Sequence, residues 1–184
     1  MKHLGTKVLH TERLILRPFR TGDAAAMFEN WASDPDVTKY LTWGCHGSVS
    51  VSEMILRDWV SSYDQADFYQ WAIVPKSSGD EPVGSISVVS HNDDLQIAHV
   101  GYCIGKKWWR KGYATQALSA VIDFLFHDVG MRRVEARHDA NNPNSGAVMR
   151  NCGMQYEGTL RQSDRNNQGI CDACWYGILN DASL

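Results

Sequence analysis

Two periodicities divide the chain. Between residues 69 and 104 apolar and polar positions follow a period of two, which predicts strands at 69–75, 83–89 and 96–104. Polar turns at 77–81 and 91–94 join them, so the three read as an antiparallel meander. After Gly112 the period changes. Ala114, Ala117, Leu118, Val121, Ile122, Leu125 and Val129 recur at i, i+3, i+4 and i+7, the spacing of a helix with one face in a core. Thr115, Gln116, Ser119, Asp123 and His127 fill the opposite face.

The flanking regions add further elements. Residues 13–18 alternate as a first strand, with Pro18 at its end. Residues 21–23 supply capping types for a helix over 24–31, which Asp34-Pro35 stops. The loop at 40–48 mixes glycine with aromatics, and residues 50–63 read as a second helix. Its Trp43 and His46 suit a binding lip, although a plain connector has the same composition. Beyond the long helix, 133–137 reads as a strand and 141–145 starts a short helix running to about Cys152. Residues 153–161 and 171–179 make a last strand pair separated by a polar turn at 163–169. The order β α α β β β α β α β β is that of an α+β layer sandwich with seven strands.

The strand and the long helix meet at Gly105-Lys106-Lys107-Trp108-Trp109-Arg110-Lys111-Gly112-Tyr113-Ala114. The first N–H groups of a helix lack intrahelical acceptors, and the helix dipole places positive charge there. With Arg110 and Lys111 beside it, this turn is a candidate anion site or, equally, a solvated basic loop.

Composition narrows the classes. A chain of 184 residues is expected to form one domain over 1–184, and 43% hydrophobic against 21% charged residues is ordinary for a globular protein. The net charge of −3 argues against a nucleic-acid-binding surface over the whole molecule. No signal-like or membrane-spanning apolar run occurs, so no membrane partner and a cytoplasmic location are expected. Five scattered cysteines make no disulfide framework. Cys171-Asp172-Ala173-Cys174 has the spacing of half a zinc site or a redox pair, but it leads into a strand pattern and no second pair appears. Half-buried thiols and no metal are expected.

Four segments, in this order, resemble the GCN5-related N-acetyltransferase (GNAT) superfamily, and within it the branch of ribosomal-protein N-terminal alanine or serine acetyltransferases. They are Thr11-Glu12-Arg13-Leu14-Ile15-Leu16-Arg17; Gly101-Tyr102 with Trp109-Arg110-Lys111-Gly112-Tyr113-Ala114; Asn142-x-x-Ser145 with Gly153-Met154-x-Tyr156-Glu157-Gly158; and Asp172 ahead of Tyr176. The resemblance covers residues 11–180. It implies a mixed, mostly antiparallel seven-stranded sheet with helices on both faces and central strands that splay apart. It also implies acetyl-CoA as co-substrate, with Trp109, Arg110, Lys111, Gly112, Tyr113 and Ala114 cradling the pyrophosphate. The pantetheine arm would then lie along the backbone near Tyr102 and Ile104, with Asn142 on the pantetheine or the loop backbone. Trp109 takes the first position of the family's Gln/Arg-x-x-Gly-x-Gly/Ala loop. Arg110 stands where many relatives have glycine, so it must tolerate the local backbone conformation.

Acetyl transfer to an amine needs a neutral amine, a stabilised oxyanion and a proton for the departing thiolate. Where many relatives carry glutamate two residues before Gly101, this chain has His99, a competent base near neutral pH or a strand histidine without a role. Ser145 sits where the family places the group that protonates the thiolate, though serine is also common at a helix start. At pH 7 roughly a tenth of an α-amine is neutral, against about one part in 2,500 of a lysine. A weak base therefore suits an N-terminal α-amine better than a lysine. The alternatives are a small-molecule acceptor such as a polyamine or antibiotic, or a non-catalytic acyl-CoA-binding module. A monomer or homodimer is expected, with Trp43 and His46 facing the acceptor.

Overall fold

The computed structural model describes residues 1–180, so the last four positions of the expected 1–184 domain lie outside the described residues. One sheet carries the structure. Its strands are β1 (Leu9–His10), β2 (Leu14–Pro18), β3 (Gln70–Pro75), β4 (Gly84–Asn92), β5 (Ile97–Ile104), β6 (Arg133–Asp139), β7 (Gln155–Asn166) and β8 (Gly169–Leu179). Their spatial order is β1-β2-β3-β4-β5-β6-β8-β7. The eighth strand, absent from the expected seven, is β1. It pairs Leu9 with Leu16 and His10 with Ile15 and is too short to show a period.

The helices are α1 (Ala24–Met27), α2 (Pro35–Thr38), α3 (Val49–Ser62), α4 (Tyr113–Phe124) and α5 (Pro143–Asn151). Wider helical turns extend α1 through Phe28–Ala32 and α4 through Leu125–Val129. The two sheet faces carry separate cores. Leu14, Leu16, Trp71, Ile73 and Val100 pack beneath Leu118, Val121 and Leu125 of α4. Ala72 and Val74, from the alternate positions of β3, pack under Met27, Trp31 and Leu56 of the α1–α3 layer.

Every neighbouring strand pair is antiparallel except β5 with β6. That parallel ladder consists of Ile97–Arg133, Ala98–Val134 and His99–Glu135. Residues 100–104 and 136–139 continue as strand without pairing to each other, so the sheet opens beyond His99. At this opening α4 packs against β5 and α5 against β6, β7 and β8, with the two helices in contact.

The expected polar turn at 163–169 is mostly strand. β7 and β8 form a long hairpin whose ladder closes at Asn166–Gly169, leaving Asn167 and Gln168 as the turn. Polar residues suit this hairpin because much of it is exposed. Asp172 accepts from the Gln162 N–H at 2.8 Å, where the ladder is irregular between Leu160 and Asp164. Cys171 and Cys174 lie three apart on β8, so they point to opposite faces and cannot act as one redox pair. All five cysteines are free. Among the described residues no helix is long and apolar enough to cross a membrane.

Candidate active site

The open end of β5–β6 gathers most of the residues singled out by the sequence. Gly105 ends β5 under a tight constraint, since a Cβ there would stand 2.2 Å from the Asn30 carbonyl oxygen. One helical turn (Lys106–Trp108) follows. The Trp109 indole folds back to donate to the Ile104 carbonyl at 2.7 Å, which engages one of the backbone groups the resemblance offers to pantetheine.

Arg110 then adopts φ 60° and Gly112 φ 74°, both left-handed. Gly112 takes this form freely, whereas Arg110 does so against its Cβ. Two left-handed residues close together turn the chain sharply into α4. The Gln116 N–H is the first to bond back, onto the Gly112 carbonyl at 3.1 Å, so the preceding N–H groups have no intrahelical acceptor. Arg110 and Lys111 are exposed, and among the described residues neither side chain has an ion-pair partner. Free N–H groups, a helix N-terminus and two uncommitted cations fit a pyrophosphate.

The opening segment supports this turn. Arg13 donates to the Lys111 carbonyl at 2.7 Å and lies over the Tyr113 ring at 5.1 Å. Gln116, its amide oriented to satisfy both neighbours, accepts from Arg13 Nε at 2.8 Å and donates to Thr11 Oγ1 at 2.9 Å. Three residues of the first motif or its contact on α4 thus fix the loop to the sheet edge.

Across the opening, Tyr102 of β5 reaches the start of α5. Its hydroxyl donates to the Ser145 carbonyl at 2.9 Å and lies 3.1 Å from Ser145 Oγ. Burial pushes the Tyr102 phenol well above its ordinary value. Asn142 caps α5 without a side-chain hydrogen bond, and Ser145 occupies the third helical position rather than the cap. Gly146 lets α5 approach β6 closely; a Cβ would stand 2.5 Å from His138 Nε2.

His99 faces the other side of the sheet and is 7% exposed. Its Nε2 accepts from the Arg137 guanidinium at 3.0 Å, so the ring proton belongs on Nδ1, which lies 3.7 Å from Glu135 Oε1. Trp175 packs edge-on against the ring at 5.3 Å. Burial and then the Arg137 charge push the His99 pKa down, against the opposing pull of Glu135 and Asp164. The imidazole is therefore held neutral. Arg137 is itself fixed by Asp164, with Nε to Oδ2 at 2.5 Å. Burial works against ionising Asp164, but Arg137 and the Arg165 N–H hold its carboxyl below the usual range.

Sequence reasoning missed Arg137, Glu135, Asp164 and Trp175. A signal existed for two of them: Arg133, Glu135 and Arg137 alternate with buried Val134 and Ala136, placing charge at every second position of an interior strand.

Trp43 and His46 pack together with ring centroids 5.4 Å apart and planes tilted by 46°. His46 Nδ1 lies 2.8 Å from Ser52 Oγ of α3, and burial lowers the His46 pKa. The hairpin tip holds this loop, as Asn167 Nδ2 donates to the Trp43 carbonyl at 2.7 Å and the Thr38 carbonyl at 2.8 Å. No hydrogen bond or ring contact joins this pair to His99 or Ser145 among the described residues.

A mixed sheet that opens at its one parallel strand pair, with a basic turn and a helix N-terminus beside the opening, is the architecture of an acyl-CoA-dependent transferase. Residues 13–155 match the acetyltransferase (GNAT) domain family, and the chain belongs to that family. An N-acetyltransferase p20 from Bacillus licheniformis, itself uncharacterized, is 29% identical over 175 residues, covering 94% of this chain and 96% of that protein. The ribosomal protein uS5-alanine N-acetyltransferase of Escherichia coli is 33% identical over 64 residues, 35% of this chain and 33% of that protein. The structure of RimL, a ribosomal L7/L12 alpha-N-protein acetyltransferase in complex with coenzyme A, superimposes with a TM-score of 0.84 at 18% identity, covering 96% of this chain and 99% of that one. The protein is an N-acetyltransferase that uses acetyl-CoA as its acyl donor.

Proposed function

We propose that the acceptor is the α-amine of a protein N-terminus and that transfer is direct, within a ternary complex. The observation that carries this reading is the state of His99. Its imidazole is neutral, and its one lone pair is committed to Arg137. A base so placed is weak. It suits an amine of pKa about 8, part of which is already neutral at pH 7, rather than a lysine near 10.4. Glu135 behind Nδ1 favours protonation of the ring, but burial and the Arg137 charge outweigh it.

Acetyl-CoA supplies an activated thioester carbonyl and a leaving thiolate. In the proposed cycle the 109–114 turn binds the pyrophosphate through its N–H groups, with Arg110 and Lys111 adding charge. Arg137 swings on its Asp164 contact, and the freed His99 Nε2 takes the ammonium proton through water. Ser145 Oγ gives a proton to the thiolate and takes back, through water, the proton that the attacking nitrogen releases as the amide forms, with the Tyr102 hydroxyl hydrogen-bonded beside it. Trp43 and His46 form the acceptor lip. The cysteines do not enter: Cys103, for instance, is pushed up by burial and has Ser85 rather than a base as its neighbour.

The test is a thiol-release assay with acetyl-CoA against peptides beginning with Ala or Ser, their N-terminally blocked forms carrying one lysine, polyamines and an aminoglycoside. Turnover confined to free N-termini is expected. Higher kcat/KM on a polyamine or aminoglycoside overturns the acceptor assignment. Tight acetyl-CoA binding without thiol release on any amine overturns catalysis by this chain.

A further inference from the structure

Away from the cleft, three side chains that acetyl transfer does not use converge at one end of the sheet. His3 comes from the N-terminal segment, His91 from the end of β4, and Asp93 from the turn into β5. Each offers one donor atom, and the three atoms lie within 4.8 Å of one another. His91 Nδ1 is 2.7 Å and His3 Nε2 3.2 Å from the same oxygen, Asp93 Oδ1, and the two rings have centroids 4.7 Å apart.

The second ring nitrogen of each histidine has its own partner outside the cluster. His3 Nδ1 lies 2.9 Å from the Tyr69 hydroxyl, whose oxygen also accepts from the Leu4 N–H at 3.2 Å. The hydroxyl keeps its own proton and can donate to His3 Nδ1 while Nε2–H faces Asp93; an ion that takes Nε2 displaces that proton. His91 Nδ1–H donates to Asp93 Oδ1 at 2.7 Å, and Nε2 lies 3.8 Å from Asp67 Oδ2, so an ion that takes Nδ1 displaces a proton with Asp67 standing near the far nitrogen. With the ion bound, the far ring N–H of each histidine then has an oxygen on its own side, the Tyr69 hydroxyl or the Asp67 carboxylate, to orient the ring.

The scaffold under the cluster is built. Lys2 N–H donates to the Val129 carbonyl at 2.8 Å and Gly5 N–H to Ala66 at 2.6 Å. Thr6 Oγ1 donates to Phe68 at 2.9 Å, and the Trp71 indole donates to Lys7 at 2.7 Å. His3 is thus held by a bond to Val129 before it and by bonds to residues 66–71 after it. Asp93 is 51% exposed, which leaves the outward side open to water ligands.

We infer that His3, His91 and Asp93 bind one divalent cation of the zinc class, with Tyr69 and Asp67 positioning the two imidazoles. Two imidazoles and a carboxylate select zinc, nickel or cobalt over magnesium or calcium, and water completes the coordination. The ion ties the N-terminal segment to the β4–β5 turn. Since His91 pairs with Ala98, it braces the strand one residue before His99.

The experiment uses the full chain without a histidine tag, stripped with a chelator and titrated with Zn²⁺ by calorimetry near pH 7.5. Cobalt absorption serves as the check on coordination. One equivalent of Zn²⁺ is expected, with a rise in melting temperature that His91→Ala abolishes. Asp93→Asn, at an exposed position that keeps the fold, removes the ligand charge and weakens binding at least about tenfold. Tyr69→Phe or Asp67→Asn weakens it by about 10–100-fold, the usual effect of removing such a partner. Cys171→Ser with Cys174→Ser leaves it unchanged. Absence of binding by the wild-type chain overturns the inference, as does undiminished binding by both His91→Ala and Asp93→Asn.

Discussion

His99 Nε2 accepts a hydrogen bond from the Arg137 guanidinium at 3.0 Å, so a histidine on the strand that feeds the 109–114 turn is held neutral by its burial and by a cation on the neighbouring strand. The sign of the resulting pH dependence follows. Burial and Arg137 lower the His99 pKa below its ordinary value of about 6.5. Between that value and the lowered folded one, the unfolded chain binds a proton that the native chain does not. Stability is full above about pH 6.5 and falls as pH drops through that window.

Arg137→Gln removes the charge while keeping a polar side chain beside Nε2. The His99 pKa is expected to rise, seen in the imidazole NMR titration, and the acidic limb of kcat/KM to move to higher pH with it. His99→Ala is expected to lower kcat by about 10² or more, the usual worth of a positioned base, and to remove that limb. Full kcat with an unchanged limb would take the base role from His99.

A second relationship bears on stability alone. Arg17 is 4% exposed and forks onto Asp23 with bonds of 2.8 and 2.9 Å, while its Nε donates to Asp80 at 2.9 Å. Removing one member of a buried pair leaves the other charge unmatched. Arg17→Met is expected to cost about 3–5 kcal/mol, read by urea denaturation. Restoring neutrality with Asp23→Asn in the same chain recovers part of it. Since Arg17 lies away from the cleft, the KM for acetyl-CoA of the folded fraction should not change.

That pair also shows how far the sequence carried. In Thr11-Glu12-Arg13-Leu14-Ile15-Leu16-Arg17 every second residue has a task readable from a period of two: Leu14 and Leu16 enter the core, while Arg13 and Arg17 reach the cofactor turn and the buried aspartate. The long helix and the meander were legible for the same reason, because local spacing decides them, while the backbone constraint on Arg110 came only from the resemblance, which puts glycine there. The charged surroundings of His99 were not. They come from β6, β7 and β8, and only pairing across a parallel junction and a bulged hairpin brings Glu135, Asp164 and Trp175 to one imidazole. The 163–169 segment was misread as turn because its polar residues signal exposure, and an exposed hairpin is as polar as a loop.

Arg110 adopts φ 60° with its side chain free, so conformation and charge oppose each other at this position. Arg110→Gly removes the Cβ strain, worth about 1–2 kcal/mol for a left-handed residue, and is expected to raise the melting temperature. The same change removes a cation from the pyrophosphate cradle, so KM for acetyl-CoA should rise several-fold and depend less on salt. Arg110→Ala keeps the strain and loses the charge; it should match the glycine variant in KM but not in stability. Equal melting temperatures for the two would show that the strain is absorbed elsewhere.

Tyr102 and Ser145 meet across the opening, the phenol donating to the Ser145 carbonyl with Ser145 Oγ at 3.1 Å. If the two act as one proton-delivery unit, their losses do not add. Ser145→Ala removes the hydroxyl we propose as the thiolate's proton donor and is expected to lower kcat by about 10², with the KM for acetyl-CoA little changed. Tyr102→Phe keeps the ring in the core and removes only the phenol oxygen, so a smaller fall in kcat is expected, with the fold intact by circular dichroism. The double variant should be no slower than Ser145→Ala alone. Multiplicative losses would separate the two groups, leaving Tyr102 as a brace for α5 and Ser145 as the sole donor.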